Sequence, residues 1–483
     1  MRYAAGMDAM TRGPLTEPGL GAVGLPTQDV ERWRAARPSF TKPGTASAPS
    51  LPGDAEALCI YVERGHGLVR RLPARASRTD AEQTAVANLY EALRRARLDF
   101  LRAYAEPVYA RLTDDYGRFL RADALVALAA EHYPGLVPTP GMVRAERQHA
   151  QKDKDAGLEL DLGLFLSKVL ESPRPGSHLV HAMQRPRPQS AERLVAFRAT
   201  GEADLGLVHV ARRGKAGVVE LRNLRYLNAE DNASAEALEA AVDLVLLHPE
   251  LEAGVLRGGV VDHPKHAGRR IFQAGANLTH LYDGQMGLVE FFLTRELGYI
   301  NKMYRGLAGP DWVPGEVETT LEKPWIAAVE AFAIGGGCQI ALVCDRVLAE
   351  EGAYFSLPAR QEGFVPGCAN LRLARLGGER LARQAILFGR VLTAGTAEAS
   401  ALCDEVVPRG RMDEAIDRAI DDITEGGSVS LAAQRKAMRV GVEAPDTFRQ
   451  YMALYIREQA TCLYSDGLVT NLEKYWTRRT PTR

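Results

Sequence analysis

The sequence predicts an α/β protein whose sheet-forming part is flanked by helical regions. Three observations carry this. Between about 203 and 410, short apolar runs of β type alternate with helical stretches. On either side of that part, apolar residues recur at three- and four-residue steps, the period of a helix face. A glycine run, Gly335-Gly336-Gly337, stands between an apolar strand and the start of a helix. The organisation that follows is a flexible arm over 1–53, an N-terminal helical domain over 54–202, an α/β core over 203–410 and a C-terminal helical region over 411–483.

The arm is rich in Pro, Gly, Ser and Thr and lacks apolar periodicity, so it has no face to bury. In the helical domain, Thr79 and Glu82 have capping-box spacing. Val86, Leu89, Leu93, Ala96, Phe100 and Tyr104 then form one stripe. Further helices are expected over 108–131 and 158–171, with a break at Tyr133-Pro134-Gly135. This part carries packing faces and no chemistry of its own.

In the core, Leu207 to Ala211 and Val218 to Leu221 read as strands, and Ala235 to Leu247 as an amphipathic helix. Gly254 to Val261 and Ile326 to Val329 are further strands, and a helix opens at Gln339. After 411 the pattern is helical again, over Met412 to Thr424, Leu431 to Val440 and Asp446 to Tyr464.

Composition narrows the function classes. The 483 residues carry a net charge of −1 with a pI near 6.8, which gives no electrostatic footprint for nucleic acid. No apolar run reaches membrane-spanning length, and no basic segment precedes an apolar core at the N-terminus, so a cytoplasmic protein is expected. The six cysteines form no C-x-x-C pair and read as reduced thiols. His178 with His181, and His263 with His266, stand at i,i+3 spacing without a third ligand, and read as surface or turn histidines rather than a metal site. No G-x-G-x-x-G turn opens a Rossmann helix.

The chemistry concentrates in Ile334-Gly335-Gly336-Gly337-Cys338-Gln339 and, about sixty residues earlier, in Phe272-Gln273-Ala274-Gly275-Ala276-Asn277. A glycine turn at a helix N-terminus aims free N–H groups and the positive end of the dipole at one spot, where an oxyanion can be held. A glycine triplet alone fits close helix–strand packing equally well. The pair of segments together resembles the enoyl-CoA hydratase/isomerase (crotonase) superfamily. That resemblance implies a stacked ββα spiral over about 205–440, with the thioester oxygen held by the backbone N–H groups of Ala276 and Gly336.

Two positions depart from the hydratase pattern. The glutamate three residues after the second oxyanion glycine is replaced by Gln339, and the glutamate of an F-x-x-P-E motif by Ala359. Hydration needs a positioned acid and base, and neither residue titrates. The helical N-terminal region, Asn228-Ala229-Glu230-Asp231, Arg295-Glu296-Leu297-Gly298 and G-G-G-C-Q together resemble one branch of the superfamily, the 3,5-dihydroxyphenylacetyl-CoA 1,2-dioxygenases.

From this resemblance Glu230, Arg295 and Gln339 are expected around the dihydroxyphenyl ring, and Arg225, Tyr226, Leu227 and Ala274 along the CoA path. Arg269 and Arg270 are expected to reach CoA phosphates, or to be solvated strand-end charges. The implied reaction uses O2 with no metal, flavin or other redox cofactor, in dihydroxyphenylglycine biosynthesis. The implied assembly is a homo-trimer or homo-hexamer, and the apolar stripes of the terminal helices are expected to find partners in it. The competing readings are another crotonase-fold aryl-CoA enzyme (thioesterase, decarboxylase or isomerase), with Glu230 or Glu362 as acid or base, and a non-catalytic CoA-binding scaffold.

Overall fold

A computed structural model describes residues 20–40, 50–316 and 319–475. The chain divides into two compact units. Of the described residues, the first comprises those up to Leu179 with Tyr282–Val289 and Met452–Glu473; the second comprises those of Val180–Leu281 and Glu290–Tyr451, with Lys474 and Tyr475.

The first unit is helical. Its long helix, Asp80–Leu112, starts at a capping box in which Thr79 and Glu82 satisfy each other's backbone N–H groups. The stripe Val86, Leu89, Leu93, Ala96, Phe100 and Tyr104 is buried within the single chain. The helix Leu51–Arg70 comes so close that a Cβ on Gly65 would stand 2.6 Å from Leu93 Cδ2. Buried charge is paired: Arg97 meets Asp161 at 3.0 Å.

Three expectations need correction here. The segment read as a flexible arm contains the helix Thr27–Ala35, anchored by Trp33 stacked on Tyr61 at 5.3 Å; residues 1–19 and 41–49 lie outside the described residues. The helix expected over 108–131 is two, because Asp114, Asp115 and Tyr116 take left-handed φ of 49°, 51° and 68° between Leu112 and Ala122. His178 is not a surface residue: it is buried against Phe119 and shares a 2.7 Å hydrogen bond with the Tyr109 hydroxyl.

The second unit holds the sheets. Its strands are β1 (Glu202–Asp204), β2 (Val208–Arg213), β3 (Ala216–Leu221), β4 (Ala253–Gly258), β5 (Leu307–Ala308), β6 (Thr320–Leu321), β7 (Trp325–Val329), β8 (Phe332–Ile334), β9 (Arg346–Glu350), β10 (Tyr354–Ser356), β11 (Leu392–Thr393) and β12 (Glu405–Val407). The larger sheet runs β1-β2-β3-β4-β7-β9-β12, antiparallel up to β3 and parallel from β3 onward. A three-stranded sheet runs β11-β10-β8, and β5 pairs with β6 in a two-stranded one. Two successive turns of the chain each give one strand to the larger sheet, one to the three-stranded sheet and then a helix: β7, β8 and Gly336–Ala341, then β9, β10 and Ala359–Glu362. That repeat is the ββα spiral.

The central strands β4 and β7 are buried along their whole length, as parallel strands covered on both faces must be. The helix Met412–Thr424 closes one face, placing Ile416, Ala419 and Ile420 on Val255, Ile326 and Leu348. Each such aliphatic side chain contributes about 1.5–3 kcal/mol by leaving water. The strand expected to run to Val261 ends at Gly258, where a Cβ would lie 1.7 Å from the Ile271 carbonyl oxygen and only glycine lets the backbones pass. His181, also read as a surface histidine, is buried in this unit.

Candidate functional site

The two glycine turns abut. Gly275 takes φ +88° and Gly335 φ +50°, and a Cβ on Gly335 would stand 3.4 Å from Gly275 Cα. The first turn is held from both sides. Gln273 pairs in parallel with Ala333, donating to Phe332 at 3.3 Å and accepting from Ile334 at 2.9 Å. Glu230 pairs with Ala276, donating its N–H to Gly275 at 2.7 Å and accepting from Asn277 at 2.6 Å. The second turn is fixed by the Gly335 N–H, which donates to the Ser356 carbonyl at 2.8 Å. Among the described residues, the N–H groups of Ala276 and Gly336 donate to nothing. Two unspent donors on abutting turns can hold one oxyanion.

Glu230 is placed by the residue after it. Asp231 caps the helix Asn232–Leu247 in a capping box with Ser234, and Asn223 ties the preceding loop by donating to the Ala229 carbonyl at 2.7 Å. The Glu230 side chain is thereby turned to Arg295. Arg295 donates through Nε to Glu230 at 2.8 Å, through Nη1 to Gln339 Oε1 at 2.7 Å and to Glu296, and through Nη2 to the Gly336 carbonyl at 2.9 Å. Burial alone would lower the guanidinium's pKa; Glu230, Tyr299 and Glu296 outweigh it and hold the group charged. Tyr299 donates its hydroxyl to the other oxygen of Glu230, and burial pushes that phenol well above its usual range.

Glycine is required where the cluster closes. A Cβ on Gly336 would lie 2.2 Å from Glu230 Oε2. A Cβ on Gly367, at φ +44°, would lie 2.2 Å from Glu296 Oε1 and 2.3 Å from Gln339 Oε1. Glu296 also accepts from the Cys368 N–H at 3.2 Å.

The structure thus brings Glu230, Arg295, Gln339, Ala276 and Gly336 together. Leu227 and Ala274 share an apolar cluster with Phe332, Ile334 and Tyr354 beside the turns. Tyr226 lies edge-on to His280 at 5.2 Å, and Arg225 is exposed with its guanidinium 5.4 Å from the Tyr226 ring. Arg270 donates to Glu220 at 2.6 Å, and Arg269 pairs with Glu350. Three residues of the cluster escaped the sequence reading: Glu296, Tyr299 and Gln273. Tyr299 was findable, since Arg295 and Tyr299 stand at i,i+4 on a helical stretch and face the same way. Gln273 is buried with neither amide atom partnered, which no sequence pattern announces. No group of three or more His, Cys, Asp or Glu among the described residues has metal-site geometry. None of the six cysteines forms a disulfide, and burial raises the Cys338 thiol to about 12.

Residues 316–480 match the enoyl-CoA hydratase/isomerase family. The chain is 44% identical to the (3,5-dihydroxyphenyl)acetyl-CoA 1,2-dioxygenase of Amycolatopsis orientalis over 429 residues, 88% of this chain and 97% of that protein. It is 28% identical to the short-chain-enoyl-CoA hydratase of Clostridium acetobutylicum over 242 residues, 50% of this chain and 84% of that protein. A solved structure, the carnitinyl-CoA hydratase from Mycobacterium avium, is similar with a TM-score of 0.47 and 25% identity, covering 57% of this chain and 98% of that one.

Proposed function

This chain belongs to the (3,5-dihydroxyphenyl)acetyl-CoA 1,2-dioxygenase family within the enoyl-CoA hydratases and isomerases, and on that premise we propose that it converts 3,5-dihydroxyphenylacetyl-CoA and O2 to 3,5-dihydroxyphenylglyoxylate and CoA, in the route to dihydroxyphenylglycine. The observation that carries the reading is the reach of the similarity. The hydratase of Clostridium acetobutylicum aligns with 50% of the chain, whereas the dioxygenase aligns with 88% of it, far beyond the ββα spiral.

In this reading the Ala276 and Gly336 N–H groups hold the thioester oxygen as the Cα proton leaves. Each donor contributes about 3 kcal/mol to the enolate-forming transition state. Arg295, braced by Glu230, orients a ring hydroxyl and takes up developing phenolate or enolate charge. Gln339 offers a neutral amide where a carboxylate would repel the enolate. The enolate passes one electron to O2, and the radical pair recombines to a Cα peroxide. The distal oxygen attacks the thioester carbonyl and expels CoA thiolate. The O–O bond then breaks as the second Cα hydrogen leaves as a proton, giving the α-keto acid. The substrate carbanion is itself the reductant, so this sequence asks for no metal or organic redox cofactor. Arg225, Tyr226, Leu227 and Ala274 line the CoA path. For Arg269 and Arg270, their pairing with Glu350 and Glu220 favours a structural role over a phosphate contact.

The assembly in this reading is a homo-trimer or homo-hexamer. The terminal helix stripes lend it no support, because they are covered within one chain. Val429, Met438 and Val440 do, at 84%, 64% and 71% exposed on the helix Ser428–Val442, together with Phe388 at 76%. Light scattering should give a mass that is a multiple of three chains. No helix among the described residues is long and apolar enough to cross a membrane, and a cytoplasmic site of action fits a CoA thioester substrate.

The deciding experiment is an oxygen electrode with chelator-treated protein and 3,5-dihydroxyphenylacetyl-CoA. O2 uptake and CoA release should be equal. CoA release without O2 uptake would make the protein a thioesterase, and activity lost on chelation and restored by a metal would refute the cofactor-free mechanism.

A further inference from the structure

Gln273 is fully buried in the Arg295 cluster, and no described residue hydrogen-bonds to its Oε1 or Nε2. Its backbone is held on both sides by β8, donating to the Phe332 carbonyl and accepting from the Ile334 N–H. That fixes where the side chain goes. A Cβ on Gly337 would stand 2.8 Å from Gln273 Cβ and 3.1 Å from Oε1. The amide ends beside the second oxyanion glycine. The place that a Cβ on Gly336 would take lies 2.2 Å from Glu230 Oε2, 2.9 Å from Gln273 Oε1 and 3.1 Å from Arg295 Nη2. Carboxylate, amide and guanidinium meet over one glycine.

Hydrogen-bonding capacity is spent unevenly there. Arg295 uses four of its five N–H donors, on Glu230, Glu296, Gln339 and the Gly336 carbonyl. Glu230 accepts from Arg295 on Oε2 and from Tyr299 on Oε1, and each oxygen keeps capacity for a second bond. The Gln273 amide, with two donors and one carbonyl acceptor, has spent none. Such a group costs stability, and filling the space against Gly337 does not require it, because methionine has the same reach without polar atoms. A carboxylate that only accepts, beside an amide that can donate, is matched to a hydroxyl, which donates once and also accepts.

We propose that Gln273 is a specificity-determining residue that binds, together with Glu230, one ring hydroxyl of the aryl-CoA thioester. This rests on the reading that the site takes a dihydroxyphenylacetyl thioester. The hydroxyl donates to Glu230 Oε2 and accepts from Gln273 Nε2. No protein partner fixes which end of the amide faces Glu230, so Nε2 is able to turn to the hydroxyl. A ring without that hydroxyl leaves the buried amide unsatisfied in the complex, and the site rejects it for that reason.

The test is the Kd of two thioesters, 3,5-dihydroxyphenylacetyl-CoA and phenylacetyl-CoA, measured on the full chain by titration calorimetry with O2 excluded. Wild type should prefer the dihydroxy thioester about 100-fold or more. Gln273→Met should reduce that preference about tenfold, while the Kd of phenylacetyl-CoA stays within about threefold of wild type. Its ligand-free melting temperature should equal or exceed that of wild type, since two unsatisfied polar atoms are gone. The ratio of the two Kd values cancels general damage to the fold, which a merely structural glutamine would inflict on both thioesters alike. A preference within about threefold of wild type overturns the assignment. If Gln273→Met does not fold, Gln273→Leu is read by the same ratio, with a lost preference supporting the role and a retained one refuting it. A wild type that binds both thioesters equally sinks the dihydroxyphenyl reading itself; a wild-type preference that survives in the variant sinks the role of Gln273 alone.

Discussion

Around Glu443 three arginines converge on one carboxylate, whereas around Arg295 two carboxylates converge on one arginine. The first cluster is closed. Arg372 meets both oxygens of Glu443 at 3.1 Å, Arg305 meets it at 3.0 Å and Arg375 at 3.2 Å. Aromatic faces wall it in, with Arg372 4.6 Å from the Tyr304 ring and Arg305 5.3 Å from Phe448. Burial would raise the Glu443 carboxyl, but Arg372 first and then the other arginines hold it below its ordinary value. The second cluster is open. Beside Arg295 stand two unspent backbone N–H groups and the unpartnered amide of Gln273. Both clusters bury charge. Only the one with unspent backbone donors on two abutting glycine turns is prepared to receive an oxyanion, and its cost in stability is offset by the core elsewhere.

Cutting the centre of the open cluster should give the largest change. Arg295→Ala leaves Glu230 and Glu296 without their cation and should lower kcat/KM about 1,000-fold. Arg295→Lys should not rescue it, because a point charge cannot serve Glu230, Gln339 and the Gly336 carbonyl at once. A wild-type kcat/KM in either variant would take Arg295 out of the site.

A methyl group at the lid of the same cluster should come next. Gly367→Ala puts a Cβ against Glu296 and Gln339 in a left-handed backbone position. Steady-state kinetics should show a loss of about 100-fold with a smaller change in melting temperature. Unchanged kcat would mean that the loop is free to move aside.

Gln339→Glu adds charge without adding bulk. It places a third carboxylate beside Arg295 and near the forming enolate, and kcat should fall about tenfold or more. An unimpaired variant would show that neutrality at this position is not part of the chemistry.

The closed cluster should respond in stability and not in turnover. Glu443→Gln leaves buried arginines uncompensated, and should cost about 3–5 kcal/mol in unfolding free energy while activity per folded molecule stays within about twofold. Denaturant titration beside activity assays separates the two. A large kcat loss at full stability would erase the distinction between the clusters.

The smallest expected signal is a difference of sign with pH. Glu443 has a lowered folded pKa, so its contribution is present above the ordinary carboxylate value of 4.5 and is lost as pH falls through the folded value. Glu362 has a raised one, so ionising it opposes folding, and stability declines as pH climbs from 4.5 toward about 7. Glu362→Gln should flatten the melting temperature over that window, and Glu443→Gln should flatten it on the acid side. An unaltered profile in Glu362→Gln would mean that its carboxylate is solvated.

What the sequence determined by itself is whatever a local pattern encodes. The helix over 158–171 and the helix over Met412–Thr424 were read with their observed bounds, because a 3.6-residue stripe and a start signal are contained in the segment. Both glycine turns were legible for the same reason, since Gly275 at φ +88° and Gly335 at φ +50°, ψ −106° hold backbone conformations that glycine adopts most readily. Tertiary structure decided everything that depends on two distant segments. Nothing local to Gly258 says that Ile271 crosses it, and nothing local to Gly367 says that Glu296 and Gln339 lie beneath it. The helix expected through residues 113–121 failed because its break rests on three left-handed residues, none of them glycine. Hydrogen-bond completion is likewise a property of the folded chain. Glu230, Glu296, Glu362 and Glu443 are the same residue type, and packing alone makes one a brace, one a link to a loop backbone, one an unpaired acid and one the centre of three arginines.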